Sequence, residues 1–278
     1  MNKSKWERAR LVGALSAILA VVGVAACAGR LTARPELYKT EKIQTGAKGR
    51  GIELVLVKPV APKPSPVLVL FASGDGGLMG ASKTVLQHLA DQGYYVAGLS
   101  SRQALGIMRP SGQLIQPAEG VEVLAALKSQ AKAGLGLPAD TPVVVTGMSR
   151  GANLVIFAAG NPTLKSDIVG AVAMALTREL DYLEIPDAAV GQPGIKVDEK
   201  GRGQAYHGIE RLGSVPLAVI QSTKDKYVPS AESRQLLGPD TPTRRLYEVP
   251  SSGHSFGGGE ATMLKDLDDA LAWIGSRK

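Results

Sequence analysis

The chain has 278 residues, enough for one α/β domain with its own hydrophobic core. Its hydrophobic content of 44% is ordinary for a globular protein, and its formal net charge is +7. Aromatic residues make up only 4% and do not alternate with basic ones, so we expect no nucleic-acid binding. The single cysteine and the three scattered histidines lack metal-ligand spacing, so we expect neither a metal nor a cofactor.

Residues 1–27 are predicted to be an export signal. Four basic side chains precede the apolar run Leu11–Ala26, which at 16 residues is shorter than the ~20 needed to span a membrane. The run leads into Val24-Ala25-Ala26-Cys27, which resembles a bacterial lipobox, in which the cysteine is lipidated and becomes the mature N-terminus. The chain is therefore expected in the cell envelope or periplasm, attached to the membrane through a lipid at Cys27. Simple A-x-A cleavage, or an uncleaved anchor, are the alternatives.

Residues 28–36 are interpreted as a tether and 37–278 as one domain in which strands and helices alternate. The predicted strands are 53–57, 67–71, 94–98, 142–146, 168–174, 216–221 and 245–249, and the predicted helices are 82–92, 118–133, 150–159 and 260–275. This alternation indicates an α/β fold with a mostly parallel central sheet and helices on both faces. Residues 177–213 break the alternation with prolines and glycines, which predicts a lid or substrate-facing insertion, or else a disordered surface loop.

The pentapeptide Gly147-Met148-Ser149-Arg150-Gly151 is a G-x-S-x-G motif between a predicted strand and a predicted helix. This context is that of a nucleophile elbow, a sharp turn on which a serine is exposed and glycines avoid collisions with the neighbouring elements. Ser149 is therefore the candidate nucleophile. The helix that begins at Arg150 would direct its first N–H groups at the chemistry, so the Arg150 N–H is a candidate oxyanion donor.

A second G-x-S-x-G match, Gly253-His254-Ser255-Phe256-Gly257, provides the rival serine. Three glycines follow Ser255, which is a poor start for a helix, and no histidine follows it. Ser149 has both an acid and a base downstream, in the Ser, Asp, His order, so Ser149 is preferred.

The candidate base and acid both lie after predicted strands. His254 follows the last strand by a short loop, whereas His88 falls in a helical pattern and His207 in a glycine-rich stretch, so His254 is the preferred base. Asp225 follows the strand 216–221 in a turn, where its carboxylate could orient the imidazole. Asp181 is the alternative acid, because it too follows a strand.

The second oxyanion donor is expected in the loop after the buried strand 67–71. Glycines in that loop allow a backbone N–H to turn toward the substrate, and Asp75 or Gly76 is the candidate. The following residues Gly77–Thr84 nearly match the phosphate-binding pattern G-x-x-x-x-G-K-[ST]. The match fails at Ser82, where the phosphate loop needs glycine, so nucleotide binding is the weaker interpretation.

These motifs resemble those of the α/β-hydrolase superfamily over nearly all of the part after the signal. More narrowly, Leu70–Gly77 and Gly253–Gly258 are similar to segments of the bacterial virulence protein VirJ family, which includes hydrolases of aminoacylated phosphatidylglycerol. The resemblance implies an α/β-hydrolase fold with a catalytic triad of Ser149, Asp225 and His254.

The resulting hypothesis is an exported serine hydrolase that cleaves a small-molecule or lipid ester through an acyl-enzyme. The rival hypothesis keeps the fold without the chemistry and makes the protein an envelope binding or assembly factor. The intact Ser, Asp and His set favours the enzyme. Protein partners are not predicted.

Overall fold

The computed structural model describes residues 38–45, 50–108, 114–180 and 182–277. The predicted signal with Cys27, the tether and Asp181 lie outside these described residues. Lys39–Lys278 belong to one unit. Its strands are β1 (Tyr38–Thr45), β2 (Arg50–Val57), β3 (Leu68–Ala72), β4 (Tyr95–Leu99), β5 (Val143–Met148), β6 (Ile168–Met174), β7 (Glu179–Leu180), β8 (Gly203–Gln204), β9 (Leu217–Ser222) and β10 (Arg244–Val249).

Helices alternate with most of these strands. They are α1 (Ala81–Asp91), α2 (Ser101–Met108), α3 (Pro117–Leu135), α4 (Arg150–Gly160), α5 (Ala205–Gly208), α6 (Ser230–Leu237) and α7 (Glu260–Gly275). Within the described ranges, no helix is both long enough and apolar enough to cross a membrane.

Eight strands of the described residues form one sheet, in the order β1-β2-β4-β3-β5-β6-β9-β10. The pairs from β4 through β3, β5, β6 and β9 to β10 are parallel, and β2 runs antiparallel to β4. The central strands β3, β5 and β9 are buried along their whole length, because helices cover both faces of the sheet. Helices α1 and α7 pack together on one face, and α2, α3 and α4 pack on the other. This arrangement confirms the α/β architecture predicted from the alternation of patterns.

The predicted insertion 177–213 packs against helix α4 in its described residues. It contains the two-stranded antiparallel sheet of β7 and β8, followed by α5 and a 3-10 turn over Ile209–Leu212. Several of its apolar side chains are buried: Leu180, Tyr182, Leu183, Ala205, Tyr206, Ile209 and Leu212. The segment is therefore a folded wall beside the carboxyl edge of the sheet.

Six of the described elements were not predicted, namely β1, β7, β8, α2, α5 and α6. Strand β1 was not predicted, because Tyr38–Thr45 is polar and lies at the edge of the sheet, where little apolar surface is required. Helix α2 was also missed, since its eight residues are too few for a clear periodic pattern. Helix α7 spans Glu260–Gly275, which is the predicted range.

Candidate active site

Ser149 has a backbone conformation that residues other than glycine rarely adopt. Its φ is 55° and its ψ is −121°, between the end of β5 and the start of α4. The Ser149 N–H donates to the Met174 carbonyl at 2.8 Å, and the Ser149 carbonyl accepts from the Ala152 N–H at 2.8 Å. These bonds hold the strained turn and present the serine side chain at the carboxyl edge of the sheet.

The two glycines of the pentapeptide are required by close backbone contact. A Cβ on Gly147 would lie 2.3 Å from the carbonyl oxygen of Gly151. A Cβ on Gly151 would lie 2.1 Å from the carbonyl oxygen of Ala72, at the end of β3. Neither position has room for a side chain, so the sequence motif follows from the packing of α4 against the sheet.

The structure joins Ser149, His254 and Asp225 by hydrogen bonds, although they come from three separate parts of the chain. They follow β5, β10 and β9 respectively, and because these strands are parallel, the three loops lie at the same edge of the sheet. The Oγ of Ser149 is 2.8 Å from the Nε2 of His254, and the Nδ1 of His254 is 2.7 Å from the Oδ2 of Asp225.

The Asp225 carboxylate is almost fully enclosed, with 2% of the residue exposed. Its Oδ1 accepts the backbone N–H of Tyr227 at 2.8 Å and that of Val228 at 3.4 Å. Its Oδ2 accepts the side-chain N–H of Gln221 at 3.1 Å, besides facing His254. Four donors therefore fix the orientation of this carboxylate. A carboxylate that orients an imidazole must itself be held in place.

Tyr227 bounds the other side of the imidazole. Its ring stands edge-on to the His254 ring, with centroids 4.7 Å apart and an interplanar angle of 75°. The Tyr227 side chain also lines the cleft above Ser149. Sequence reasoning missed this residue, although its position two residues after Asp225 was a usable signal.

The candidate oxyanion donors lie on either side of Ser149. Arg150 is the first residue of α4, and the β3–α1 loop approaches so closely that a Cβ on Gly74 would lie 3.9 Å from the Ser149 Oγ. The Nε of Arg150 is 2.6 Å from the Oδ1 of Asp75, and a second contact at 3.2 Å makes the pair bidentate. The Arg150 and Asp75 side chains therefore link the start of α4 to the β3–α1 loop. The Asp75 side chain thereby lies beside the start of α4, and a Cβ on the neighbouring Gly76 would meet nothing within 4 Å.

A cleft of about 140 Å³ opens above Ser149, and each residue that lines it carries a polar group in its side chain. It is lined by Asp75, Ser149, Arg150, Asn153, Thr177, Glu179, Arg202 and Tyr227. Three of these residues come from the insertion, and none of the eight is aliphatic. The walls therefore suit a small polar group better than a long hydrocarbon chain.

Ion pairs organise the wall that the insertion supplies. The Arg202 guanidinium binds Asp198 at 2.6 Å and reaches Glu179 at 3.5 Å. Hydrogen bonds from the Arg202 backbone N–H and guanidinium lower the pKa of the Asp198 carboxyl. The sequence carried no motif for Glu179 or Arg202, because β7 and β8 are two-residue strands whose pairing depends on tertiary contacts.

The remaining sequence candidates lie away from this geometry. Ser255 is an exposed turn residue, and His207 is exposed on α5. His88 lies on α1 and pairs with Asp268 of α7 at 2.8 Å. The phosphate-loop-like segment begins α1, and its lysine, Lys83, is exposed. In the described part of the chain, no group of three or more metal-ligating side chains could hold a metal ion.

No protein-family model matches the chain, and no curated relative matches its sequence. Solved structures do match. The esterase domain of a Rhodothermus marinus protein is 18% identical, with a TM-score of 0.56, over 85% of this chain and 98% of that one. Est1E from Butyrivibrio proteoclasticus is 14% identical, with a TM-score of 0.54, over 84% of this chain and 99% of that one. A Mycobacterium tuberculosis puromycin-hydrolysing peptidase is 17% identical, with a TM-score of 0.61, over 89% of this chain and 40% of that one. This similarity confirms the predicted α/β-hydrolase fold.

Proposed function

We propose that this protein is a serine hydrolase that cleaves an ester bond through an acyl-enzyme intermediate. One observation carries the proposal. The Ser149 hydroxyl, the His254 imidazole and the enclosed Asp225 carboxylate form an unbroken row of hydrogen bonds at the mouth of a cleft. A nucleophile, a base and an orienting acid in this order are what acyl transfer requires.

In the first half of the reaction, the Ser149 Oγ attacks the ester carbonyl carbon while the Nε2 of His254 takes the hydroxyl proton. Asp225 holds the imidazole in the required orientation and stabilises the imidazolium. The oxyanion accepts hydrogen bonds from the Arg150 N–H and from an N–H of the β3–α1 loop, that of Asp75 or of Gly76. Collapse of the intermediate breaks the bond to the alcohol oxygen, which leaves with the proton from His254.

In the second half, water attacks the acyl carbon of the ester formed at Ser149. His254 takes a proton from this water, and the same backbone donors stabilise the second oxyanion. Cleavage of the acyl–Oγ bond releases the acid, and His254 returns its proton to the Ser149 oxygen. The protein ends the cycle unchanged, and no cofactor is required.

The cleft supports a short, polar acyl group as the substrate class. Charged and hydrogen-bonding side chains surround Ser149, and the cleft of about 140 Å³ is small for a fatty acyl chain. The sequence resemblance to the VirJ family makes an aminoacyl ester of a lipid one candidate, since its aminoacyl part is short and polar. The names of the esterase and peptidase structures that share the fold are consistent with acyl transfer.

The proposed location is the cell envelope, with the protein attached through a lipid at Cys27. The support is the basic start, the 16-residue apolar run and the small residues before the single cysteine of the chain. This part of the proposal rests on the sequence alone.

The test of the proposed activity is covalent labelling with a fluorophosphonate, followed by hydrolysis of p-nitrophenyl acetate. The wild-type protein is expected to be labelled and to hydrolyse the ester. Ser149→Ala is expected to lose labelling and at least about three orders of magnitude in kcat/KM, with unchanged folding.

The matched control is Ser255→Ala, which removes the other G-x-S-x-G serine and is expected to be labelled like the wild type. A folded wild-type protein that the probe does not label, or a Ser149→Ala variant of undiminished rate, contradicts the proposed activity.

A further inference from the structure

Gln221 is a polar side chain in a strand that is otherwise suited to the core. It is the fifth residue of β9, follows Leu217-Ala218-Val219-Ile220, and is 0% exposed. An aliphatic residue would fit this position without burying an amide. Burial of an amide costs a few kcal/mol of folding free energy unless each of its polar atoms has a hydrogen-bond partner. The partners of Gln221 therefore indicate why an amide is present.

All of the hydrogen-bonding groups of the Gln221 amide are used. Its Oε1 accepts the backbone N–H of Leu176 at 3.0 Å, while its Nε2 donates to the backbone carbonyl of Val228 and to the Oδ2 of Asp225 at 3.1 Å. The first two partners have a fixed polarity, since one is an N–H and the other is a carbonyl. They determine which end of the amide is oxygen, and so the group facing Asp225 must be a donor.

These contacts close a ring of hydrogen bonds around the site. The Ser149 N–H donates to the carbonyl of Met174, two residues before Leu176, and Leu176 donates to Gln221. Gln221 donates to Asp225, which faces His254, and His254 faces the Ser149 hydroxyl. Residues 174–176 thus contact the nucleophile on one side and, through Gln221, the acid on the other.

From this ring we infer that Gln221 is a positioning residue for the proposed reaction, and that it acts through Asp225. Its N–H holds Oδ2, the oxygen that also faces the Nδ1 of His254, so that the carboxylate keeps its plane when the imidazole becomes charged. Gln221 does not touch the cleft, and its effect is on the transition state rather than on substrate binding. The inference rests on the proposed function.

The test is a double-mutant cycle between Gln221 and Asp225, assayed with p-nitrophenyl acetate on the full-length protein. Gln221→Met keeps the length of the side chain and removes both donors. It is expected to lower kcat roughly ten- to a hundredfold, the effect of one hydrogen bond to a charged group, with KM within about twofold of the wild type. Because Gln221 acts through Asp225, removing both side chains should cost little more than removing Asp225. The kcat of the double variant Gln221→Met/Asp225→Asn is expected to lie within about threefold of the kcat of Asp225→Asn.

The matched control is Thr146→Val, which removes a buried polar group, the Thr146 hydroxyl, from the same sheet. Thr146 is 0% exposed, and its Oγ1 has no hydrogen-bond partner among the described residues. This variant is expected to keep the wild-type kcat. Thermal unfolding monitored by circular dichroism establishes that each variant is folded, and Gln221→Leu, which also removes both donors without adding a charge, replaces the methionine variant if the latter does not fold.

The outcomes separate the inference from the proposed function. A Gln221→Met kcat within threefold of the wild type, while Asp225→Asn is strongly impaired, overturns the inference and leaves the proposed function standing. Effects that multiply in the double variant, or a raised KM with unchanged kcat, overturn it as well, because they indicate a structural role. An Asp225→Asn variant as active as the wild type overturns both.

Discussion

Gly151 lies where the backbone of helix α4 comes closest to the central sheet. A Cβ there would be 2.1 Å from the carbonyl oxygen of Ala72 and 2.6 Å from that of Ser73. Both atoms belong to the end of β3 and its loop, which carry a candidate oxyanion donor. One added methyl group would therefore push apart two elements that the site needs together.

We predict that Gly151→Ala lowers the free energy of unfolding by about 3 kcal/mol, because the overpacked backbone must shift. Urea unfolding followed by circular dichroism measures the change. The control is Gly275→Ala, at the end of α7, where an added Cβ meets no atom within 4 Å and is expected to be neutral or slightly stabilising. Equal stability of Gly151→Ala and the wild type would refute the steric explanation of the motif.

At the scale of elements, helix α3 is tied to the start of β6 by a cluster of charges. Lys128 and Lys132 of α3 both bind Asp167, which lies in the 3-10 turn before β6, and Lys132 also donates to the Ala139 carbonyl at 2.7 Å. Burial alone would raise the pKa of the Asp167 carboxyl, but the two lysines outweigh it and hold the pKa below its usual range. The cluster anchors the helix that covers β2 and β3.

We predict that this cluster stabilises the protein at neutral pH and not in acid. Because the folded-state pKa of Asp167 is lowered, its contribution is present above the unfolded pKa of about 4 and is lost as the pH falls through the folded pKa. Asp167→Asn is expected to cost about 2 kcal/mol at pH 7, and less below about pH 4. Urea unfolding across this pH range measures the difference.

The control for this prediction is Asp269→Asn, which breaks the exposed pair with Lys265 on α7. That pair is solvated, so its loss is expected to change stability little at any pH. A destabilisation by Asp167→Asn that did not depend on pH would show that shape, and not charge, is what the cluster contributes.

For the molecule as a whole, residues 1–27 predict attachment to a membrane through Cys27. We predict that, when the protein is expressed in a bacterium that processes lipoproteins, it is found in the membrane fraction and Cys27→Ser releases it from there or leaves its signal uncleaved. The reason is that the thioether-linked lipid can form only on the cysteine thiol. Fractionation with detergent phase separation measures this. Equal partition of both proteins into the detergent phase, with the signal of Cys27→Ser removed as judged by its mass, would contradict anchoring by a lipid at Cys27.

Much of the fold was predictable because its signals are local. The buried strands read as continuous apolar runs, and β6 and α7 have the predicted bounds of 168–174 and 260–275. Strand β1 and helix α2 escaped prediction, since an edge strand needs little apolar surface and an eight-residue helix shows little periodicity. The two-residue strands β7 and β8 had no local signal at all.

The sequence by itself determined the fold class and the candidate nucleophile, acid and base. These features can be predicted from short segments: the nucleophile from a motif of two glycines and a serine, and the acid and base from their positions just after strands. Only the tertiary structure decided that Ser149, His254 and Asp225 meet at 2.8 Å and 2.7 Å. It also decided that Glu179 and Arg202 line the cleft and that Gln221 holds the acid. The physical reason is distance along the chain: these contacts join residues that the parallel sheet brings to one edge, and no local pattern records which side chains will face each other there.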